Sequence, residues 1–336
     1  MELDFNNFAN FNEQQKLKHL LRLALLAPSS HNTQPWLFKV NRKTLQITIT
    51  ANWERQLKDS DPQGRELFLS LGTAVENFET ALKAYHISYH YEEKKSAKGP
   101  EGHFTIHSLE SGNTDITTLT AIYSRQANRY PFTKAALPEN FIRQAESYAS
   151  ADLDICFITE QEPEKKQKLS AIILEAVAAA FHDKKFTREL SQWIKPSLKR
   201  YRDGMPGYNI GVPWLFSLFM PYAIRHIPMA GMQRAMNKQM LDHCPALAVI
   251  ATRRDDPQSW FMAGRVYERV ALLAESQNIK IGVFGAPVEI GDYYKQVQRL
   301  CQNNLRPQMV FRLGYTDKTP PRSPRLHLHS VIIGDL

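Results

Sequence analysis

Ten consecutive residues, Ala27-Pro28-Ser29-Ser30-His31-Asn32-Thr33-Gln34-Pro35-Trp36, set hydroxyls, two carboxamides and an indole between two prolines. A proline biases the preceding residue away from the helical region, so Pro28 ends the helix that leads into this segment. Pro35 starts an extended one. Between them lies a stiff, non-repetitive loop dense in hydrogen-bonding side chains, able to hold a flat, polar, many-edged ligand. The same letters are also ordinary turn chemistry. A second group with chemical reach is Arg125-Gln126-Ala127-Asn128-Arg129. Two arginines four residues apart at a helix start point the same way, and their planar, permanently charged donors suit a phosphate. Taken alone, such a pair also describes a solvated face. Arg322 and Arg325 add two cations in the proline-stiffened tail Pro320-Pro321-Arg322-Ser323-Pro324-Arg325. Gly282-Val283-Phe284-Gly285-Ala286-Pro287 carries glycines that permit close backbone approach, or make a plain turn.

The bulk numbers narrow the field. A chain of 336 residues suffices for two domains or one duplicated one. Hydrophobic residues at 43% and charged residues at 23% are ordinary for a soluble globular protein. Lys and Arg number 42 against 34 for Asp and Glu, a net +8, which favours an anionic partner such as a phosphate-bearing cofactor, a nucleic acid or an acidic membrane. No continuous basic stripe is present, so no nucleic acid is expected. Cys156, Cys244 and Cys301 are widely spaced, which argues against a disulfide scaffold or zinc ribbon and fits a reducing cytoplasm. The acidic start Met1-Glu2-Leu3-Asp4 has no signal-peptide character. The most apolar stretch, Val212 to Ile224, falls short of the ~20 residues of a membrane span and is interrupted by Pro213 and Pro221. Dinucleotide and phosphate-loop glycine motifs are absent, as is a nucleophile elbow. His327-x-His329 is a weak metal signal near a terminus, and no metal is expected.

These residues need elements to position them. Leu17, Leu20, Leu21, Ala24 and Leu25 form one face of an amphipathic helix before the loop. Trp36 to Val40 and Leu45 to Thr50 read as a hairpin. A long helix runs from about Glu66 to Tyr85, followed by short strands at Ile87 to Tyr91 and Phe104 to His107 with an exposed charged loop, Glu92 to Gly102, between them. A second half opens near Thr117. It offers a helix from Pro138 to Tyr148, a strand through Leu153, Ile155 and Phe157, and a helix from Lys165 to His182. Asp183 to His243 breaks the pattern and is rich in Trp, Phe, Met and Pro, an insertion that folds over something or a helical subdomain packed for stability. Ala246 to Thr252 is a continuous apolar run, expected of a central strand. Helices at Trp260 to Ser276 and Ile290 to Cys301, an extended piece at Ile281 to Phe284 and a strand through Met309, Phe311 and Leu313 complete the order. The two halves repeat a coarse sequence of helix, strand or hairpin, long helix, strand.

A-P-S-S-x-N-x-Q-P-W at 27–36 resembles the signature loop of the flavin-dependent nitroreductase family, and Arg125, Gln126 and Arg129 match its arginine motif, with Ala127 where the family often has Ser. The likeness covers roughly Lys16 to Arg325. It implies an α+β fold of two fused units, each a central mixed or antiparallel sheet wrapped by helices, with domains at 1–115 and 116–336 and a helical lid at about 183–243. The loop lies in the first half and the arginine motif in the second, which resembles the duplicated single-chain Acg-like branch and implies one competent FMN site at the junction. By that resemblance the cofactor-binding residues are Pro28, Ser29, Ser30, Asn32, Gln34, Arg125, Gln126, Arg129, Phe284, Gly285, Arg322 and Arg325. NADH or NADPH would be the transient donor, and a nitroaromatic or quinone-like small molecule the acceptor, in a ping-pong cycle. No side-chain acid or base is demanded of the protein, so no catalytic residue is assigned. The alternative is a protein that sequesters FMN beneath a lid closed by Trp193, Trp214 and Phe216. The assembly would be a pseudo-dimeric monomer or a homodimer.

Overall fold

A computed structural model describes residues 4–336; Met1 to Leu3, part of the acidic start, lie outside the described residues. Helix α1 (Glu13–Ala24) is closed at its start by a capping box between Asn12 and Gln15 and buries the leucine face read from the sequence. The loop at 27–36 follows, and then β1 (Trp36–Asn41) and β2 (Gln46–Ala51) pair as an antiparallel hairpin. Helix α2 (Arg65–Ala84) is buried along nearly its whole length. Strands β3 (Tyr89–Ser96) and β4 (Gly99–Ile106) complete the first meander. The charged stretch expected to be a loop is thus mostly strand. Alternation explains the difference: β3 turns its side chains alternately toward a half-buried face and toward solvent. Buried Glu101 on β4 accepts a hydrogen bond from Thr50 Oγ1 (2.7 Å) and pairs with Lys39.

The second set begins with α3 (Ile116–Ser124) and α4 (Glu139–Glu146), then β5 (Leu153–Thr159) and α5 (Pro163–His182). Segment 183–243 holds α6 (Lys184–Trp193), the two-residue strands β6 (Ile194–Lys195) and β7 (Met205–Pro206), α7 (Trp214–Ser217), α8 (Met220–His226) and α9 (Ala230–Asp242). It has a small core of its own around Leu190, Ile194, Met205, Ile224 and Met229. Strand β8 (Ala246–Thr252) is buried at every position. Helix α10 (Pro257–Ser276), β9 (Lys280–Phe284), α11 (Ala286–Glu289), α12 (Tyr293–Cys301) and β10 (Arg306–Gly314) follow.

One sheet has the order β11-β1-β2-β4-β3 and the other β5-β8-β10-β9. The four-stranded meanders therefore repeat: first strand, second strand, long helix, then a hairpin whose later strand sits inside. Strand β11 (Ile332–Asp335) was not foreseen. It runs parallel to β1, so the C-terminal end of the chain completes the sheet built by the N-terminal third. No periodicity announces so short a strand. It has meaning only where an open edge waits for it.

Between the sheets α2 and α10, each of 20 residues, cross in backbone contact. A Cβ at Gly264 would stand 2.0 Å from the Leu69 carbonyl oxygen, and one at Gly72 would stand 2.1 Å from that of Phe261. Beside the crossing, Arg265 Nε donates to Glu76 (2.9 Å) and Arg269 Nε to the same carboxylate (2.6 Å). Arg265 also pairs with Glu79. A buried ion pair persists when its remaining lone pairs are also met, and Tyr89 OH and Lys83 complete Glu79, each at 2.9 Å. Adding one methyl at the crossing must separate two helices rather than rotate a side chain. Gly264→Ala is expected to lower stability by about 3 kcal/mol, the upper end for overpacking. Ser276→Ala, exposed on the same helix, should stay within about 0.5 kcal/mol of the parent in denaturant titration. Equal effects would mean that the crossing has slack.

Candidate functional site

The 27–36 loop is held by strain and by saturated polar groups. His31, Asn32 and Gln34 adopt left-handed backbone with φ of 50°, 56° and 52°. Such residues persist only where surroundings over-determine them, and α2 supplies part of those surroundings. Thr73 Oγ1 donates to the Pro28 carbonyl (2.8 Å), Ser70 Oγ accepts from Ser30 N (3.3 Å), and Ser30 Oγ donates to Glu66. Ser29 Oγ accepts from Gln34 N at 2.9 Å.

Arg125 and Arg129 do not share a helix face. Arg125 is the C-cap of α3, and the chain continues extended. The physical reason is an edge contact: Ala127 bridges to Ile281 of β9, and Asn128 N donates to the Ile281 carbonyl (2.7 Å). Alternate residues of an extended chain point the same way, so positions 125, 127 and 129 still share a side. Asn128, 1% exposed, anchors the turn through the Lys318 carbonyl and through Arg312, which donates to its own carbonyl.

The loop, the arginine segment and the tail meet in one cleft. Of the residues expected at the site, Pro28, Ser29, Asn32, Arg125, Gln126, Arg129, Arg322 and Arg325 line it. The four others do not. Ser30 turns to Glu66. Gln34 is fully buried, donating to the Arg202 carbonyl (2.9 Å) and accepting from Leu326 N (2.9 Å). Phe284 belongs to the core beneath the second sheet, and Gly285 caps α11 against Glu289. Lining residues that the sequence did not single out are His31, Met205 and Asn209. Nothing in their local spacing marks Met205 or Asn209, because they arrive from 183–243 by tertiary contact.

Charge is the cleft's dominant property. Arg125 Nε lies 3.0 Å from Glu268, a carboxylate wholly enclosed on α10, and Arg125 Nη2 donates to the Leu26 carbonyl (3.0 Å). Burial raises the Glu268 carboxyl to about 7 against the pull of Arg125. Glu268 had a sequence signal, since a charge on the apolar stripe of a buried helix needs a partner. Arg325 donates to Asn32 Oδ1 (3.2 Å) and to the Leu26 carbonyl (2.8 Å), and burial with the nearby Arg125 lowers it to about 9. Arg129 is solvent-accessible but set deep, where lost hydration lowers its pKa; its Nη2 meets only the Met205 sulfur, at 3.4 Å. Among the described residues Arg129, Arg322 and Arg325 form no ion pair. His31 Nδ1, Asn209 Oδ1 and Arg325 Nε are buried without hydrogen-bond partners. Burial holds His31 down to about 4, opposed by Glu189 and Glu66, so its ring is neutral near pH 7. Four guanidinium groups on one cleft, of which, among the described residues, Arg125 alone pairs with a carboxylate, with unused donors among them, fit an anionic ligand such as a phosphate ester.

Segment 202–209 covers this cleft. Asn32 Nδ2 donates to the Gly204 carbonyl (3.0 Å), Gln34 reaches that of Arg202, and Arg55 pairs with Asp203. Trp214 and Phe216, expected over the site, instead stand 61% and 65% exposed in solvent, and Trp193 lies against Arg55 and Lys195. The enclosed space is about 120 Å³. That is below the ~300 Å³ at the lower end of ligand clefts, but a wider cavity of about 940 Å³ adjoins it at Leu26, Arg322 and Arg325.

The chain is 25% identical over 339 residues, 96% of its length and 92% of the relative's, to the protein named "Putative NAD(P)H nitroreductase Rv3131" of Mycobacterium tuberculosis strain H37Rv. It is 24% identical over 183 residues, 53% of each chain, to "Putative NAD(P)H nitroreductase acg" of the same strain. Among solved structures it is similar to the FMN and NADPH-dependent nitroreductase NfnB from Sphigopyxis sp. strain HMH, with a TM-score of 0.42, 17% identity and coverage of 65% of this chain and 98% of that one. No family model matches. Rv3131, which this chain resembles along nearly its whole length, is named a putative NAD(P)H nitroreductase, and the architecture of this chain is α+β. The chain is similar to the mycobacterial chains of the Rv3131 and Acg type, to the first over nearly its whole length and to the second over about half.

Glu268 supplies a test of the site's electrostatics. Its folded-state carboxyl keeps a proton to about pH 7, whereas its ordinary value is 4.5, so the folded state binds more protons between these values and stability falls as pH rises through them. Glu268→Gln removes that titration. The stability of the parent minus that of the variant should therefore drop by about 2–3 kcal/mol on going from acid to neutral pH. Denaturant titrations of both proteins across this range measure it, and a pH-independent difference would refute the assignment.

Proposed function

We propose that the chain is an FMN-dependent NAD(P)H oxidoreductase of nitroreductase type with one flavin site, in the cleft between the 27–36 loop, the Arg125 to Arg129 segment and the tail. The observation that carries this is the convergence of Arg125, Arg129, Arg322 and Arg325 on the signature loop, from three distant parts of the sequence. The arginines would hold the phosphate, with Arg125 kept in place by Glu268. Pro28, Ser29, Asn32 and Gln126 would line the path from the phosphate toward the ring. Gln34, Ser30 and the Phe284-Gly285 turn act one step back, fixing the backbone that the ligand meets. The flavin's chemistry would be hydride transfer, from NADH or NADPH and then to a nitroaromatic or quinone-like acceptor in a ping-pong cycle. Segments 1–115 and 116–336 read as two family-like units fused in one chain, since their meanders share a strand order. Segment 183–243 is their lid. A cytoplasmic setting agrees with three free thiols, and whether the fused unit acts as a pseudo-dimeric monomer or pairs again is part of the same proposal.

A second reading has its own observation. The lid carbonyls of Arg202 and Gly204 saturate the side chains of Gln34 and Asn32 and leave a narrow cleft. A protein closed in this way would sequester FMN and turn over little. The visible spectrum separates the two. Yellow protein that bleaches rapidly with NADPH or NADH without oxygen is a reductase; yellow protein that bleaches only with dithionite is a store; colourless protein that takes up no FMN is neither. Arg129→Ala is expected to weaken FMN about tenfold or more, the loss of one charge-assisted contact, while riboflavin, which has no phosphate, binds as before. A flavin titration of both proteins reads this, and equal losses for the two ligands would remove Arg129 from the phosphate.

A further inference from the structure

The lid buries its own core yet leaves a broad apolar surface uncovered. Trp214, Leu215, Phe216, Phe219 and Tyr222 are each half or more exposed, and Ile227 and Met232 are at 55% and 51%. All lie within 19 residues of sequence, on α7, α8, α9 and the turns between them. Outside the lid, the large apolar side chains left exposed among the described residues are Ile116, Val283 and Ile333, scattered along the chain. Contiguous exposed apolar surface marks an interaction site more often than it marks chance. The segment is not simply unfolded, because Leu190, Ile194, Met205, Ile224 and Met229 pack beneath it.

Charge selects the occupant. Across residues 183–243 the sequence has ten Lys and Arg, at 184, 185, 188, 195, 199, 200, 202, 225, 234 and 238, against four acids, Asp183, Glu189, Asp203 and Asp242. Asp203 is neutralised by Arg55. Lys199, Arg200, Arg225 and Arg234 are exposed in the same stretch of sequence with no carboxylate partner among the described residues, whereas Lys238 pairs with Asp242 at 2.6 Å. Arg225 and His226 close α8, one turn beyond Tyr222, and the Tyr222 and His226 rings lie 4.6 Å apart, tilted by 35°. Two copies of such a face meeting about a twofold axis would set like charges against each other. An anionic bilayer surface presents the opposite charge and also accepts aromatic and aliphatic side chains at the headgroup boundary. We propose that the lid's apolar, cation-rimmed face seats this protein peripherally on membranes rich in anionic lipid. No helix among the described residues is long and apolar enough to cross a bilayer, so the attachment is shallow and reversible. The face lies on the body that covers the cleft, but the proposal stands apart from any cofactor or activity.

The test is co-sedimentation of the full chain with vesicles of phosphatidylcholine alone and of phosphatidylcholine mixed with phosphatidylglycerol. Binding to the anionic vesicles should exceed binding to neutral ones about tenfold or more and fall with added salt. Two variants follow: the triple variant Trp214→Ser, Phe216→Ser, Phe219→Ser, and the double variant Arg225→Glu, Arg234→Glu. All five positions are exposed and outside the cleft. Both variants should melt with the parent and lose most of the anionic binding. Absence of any anionic preference, or binding that both variants retain, would overturn the proposal. So would a concentration-dependent dimer in sedimentation that the triple variant abolishes, since the face would then belong to a second copy.

Discussion

Gly72 and Gly264 let α2 and α10 touch backbone to backbone, and the placement of the cleft follows from that contact. One turn along α10 from Gly264 stands Glu268, which fixes Arg125. Toward the start of α2 and at Thr73 stand the side chains that bind the signature loop, Glu66 to Ser30, Ser70 to the Ser30 amide and Thr73 to the Pro28 carbonyl. Loop and arginine are therefore carried on two helices whose separation neither can change without breaking the crossing. The Glu76, Arg265 and Arg269 cluster adds a directional lock, because an ion pair with bidentate geometry resists sliding where apolar packing tolerates it.

The third wall of the cleft comes from the far end of the chain. Strand β11 pairs in parallel with β1, and this pins the preceding tail across the first unit. Arg325 then hydrogen-bonds to the carbonyls of Leu26 and Ala27 and to Asn32, and Leu326 N to Gln34. A flexible cationic tail would lose conformational entropy on meeting a phosphate. Here that ordering is done by sheet formation and by the clamp of a fully buried Gln34, so the guanidinium group waits in position. The carboxamides of the loop thus divide their work. Asn32 faces the cleft while holding both lid and tail, and Gln34 faces away from it entirely.

Much of this was legible in the sequence. The helical stripes at Leu17 to Leu25 and Leu67 to Leu82 are the buried faces of α1 and α2, and the uninterrupted apolar run at Ala246 to Thr252 is the central strand β8. Periodicity reports burial directly, which is why these elements could be read. Eight of the twelve residues that the family resemblance implies line the cleft, and what pointed to them was the loop and arginine motifs, not periodicity. What failed was whatever depends on a neighbour distant in sequence. The Arg125 to Arg129 segment is extended because β9 offers Ile281 as an edge. Glu92 to Gly102 is strand because Thr50 and Lys39 receive Glu101. Residues 202–209 lie over the cleft, whereas Trp214 and Phe216 stand in solvent, an exposure that no local pattern encodes.

A cleft lined by guanidinium groups is held together at some expense. Arg325 and Arg129 are lowered by lost hydration, and Glu268 is raised until its charge is marginal at neutral pH, so the carboxyl that could neutralise the cluster does so incompletely. In a protein evolved for stability alone, an apolar replacement of such a cluster would be at least neutral. Four arginines on one cleft, with Arg125 alone paired to a carboxylate among the described residues, make sense where a ligand brings the missing negative charge. On the proposed function, an anionic ligand would relieve this repulsion and stabilise the folded chain by linkage. The strain in the loop acts in the same direction. His31, Asn32 and Gln34 are held in left-handed backbone by contacts to the lid, the tail and α2, so the three bodies that form the walls also fix the loop between them. On the proposed function, cofactor affinity and the conformation of the 27–36 loop would be coupled, because both depend on how much negative charge the cleft contains.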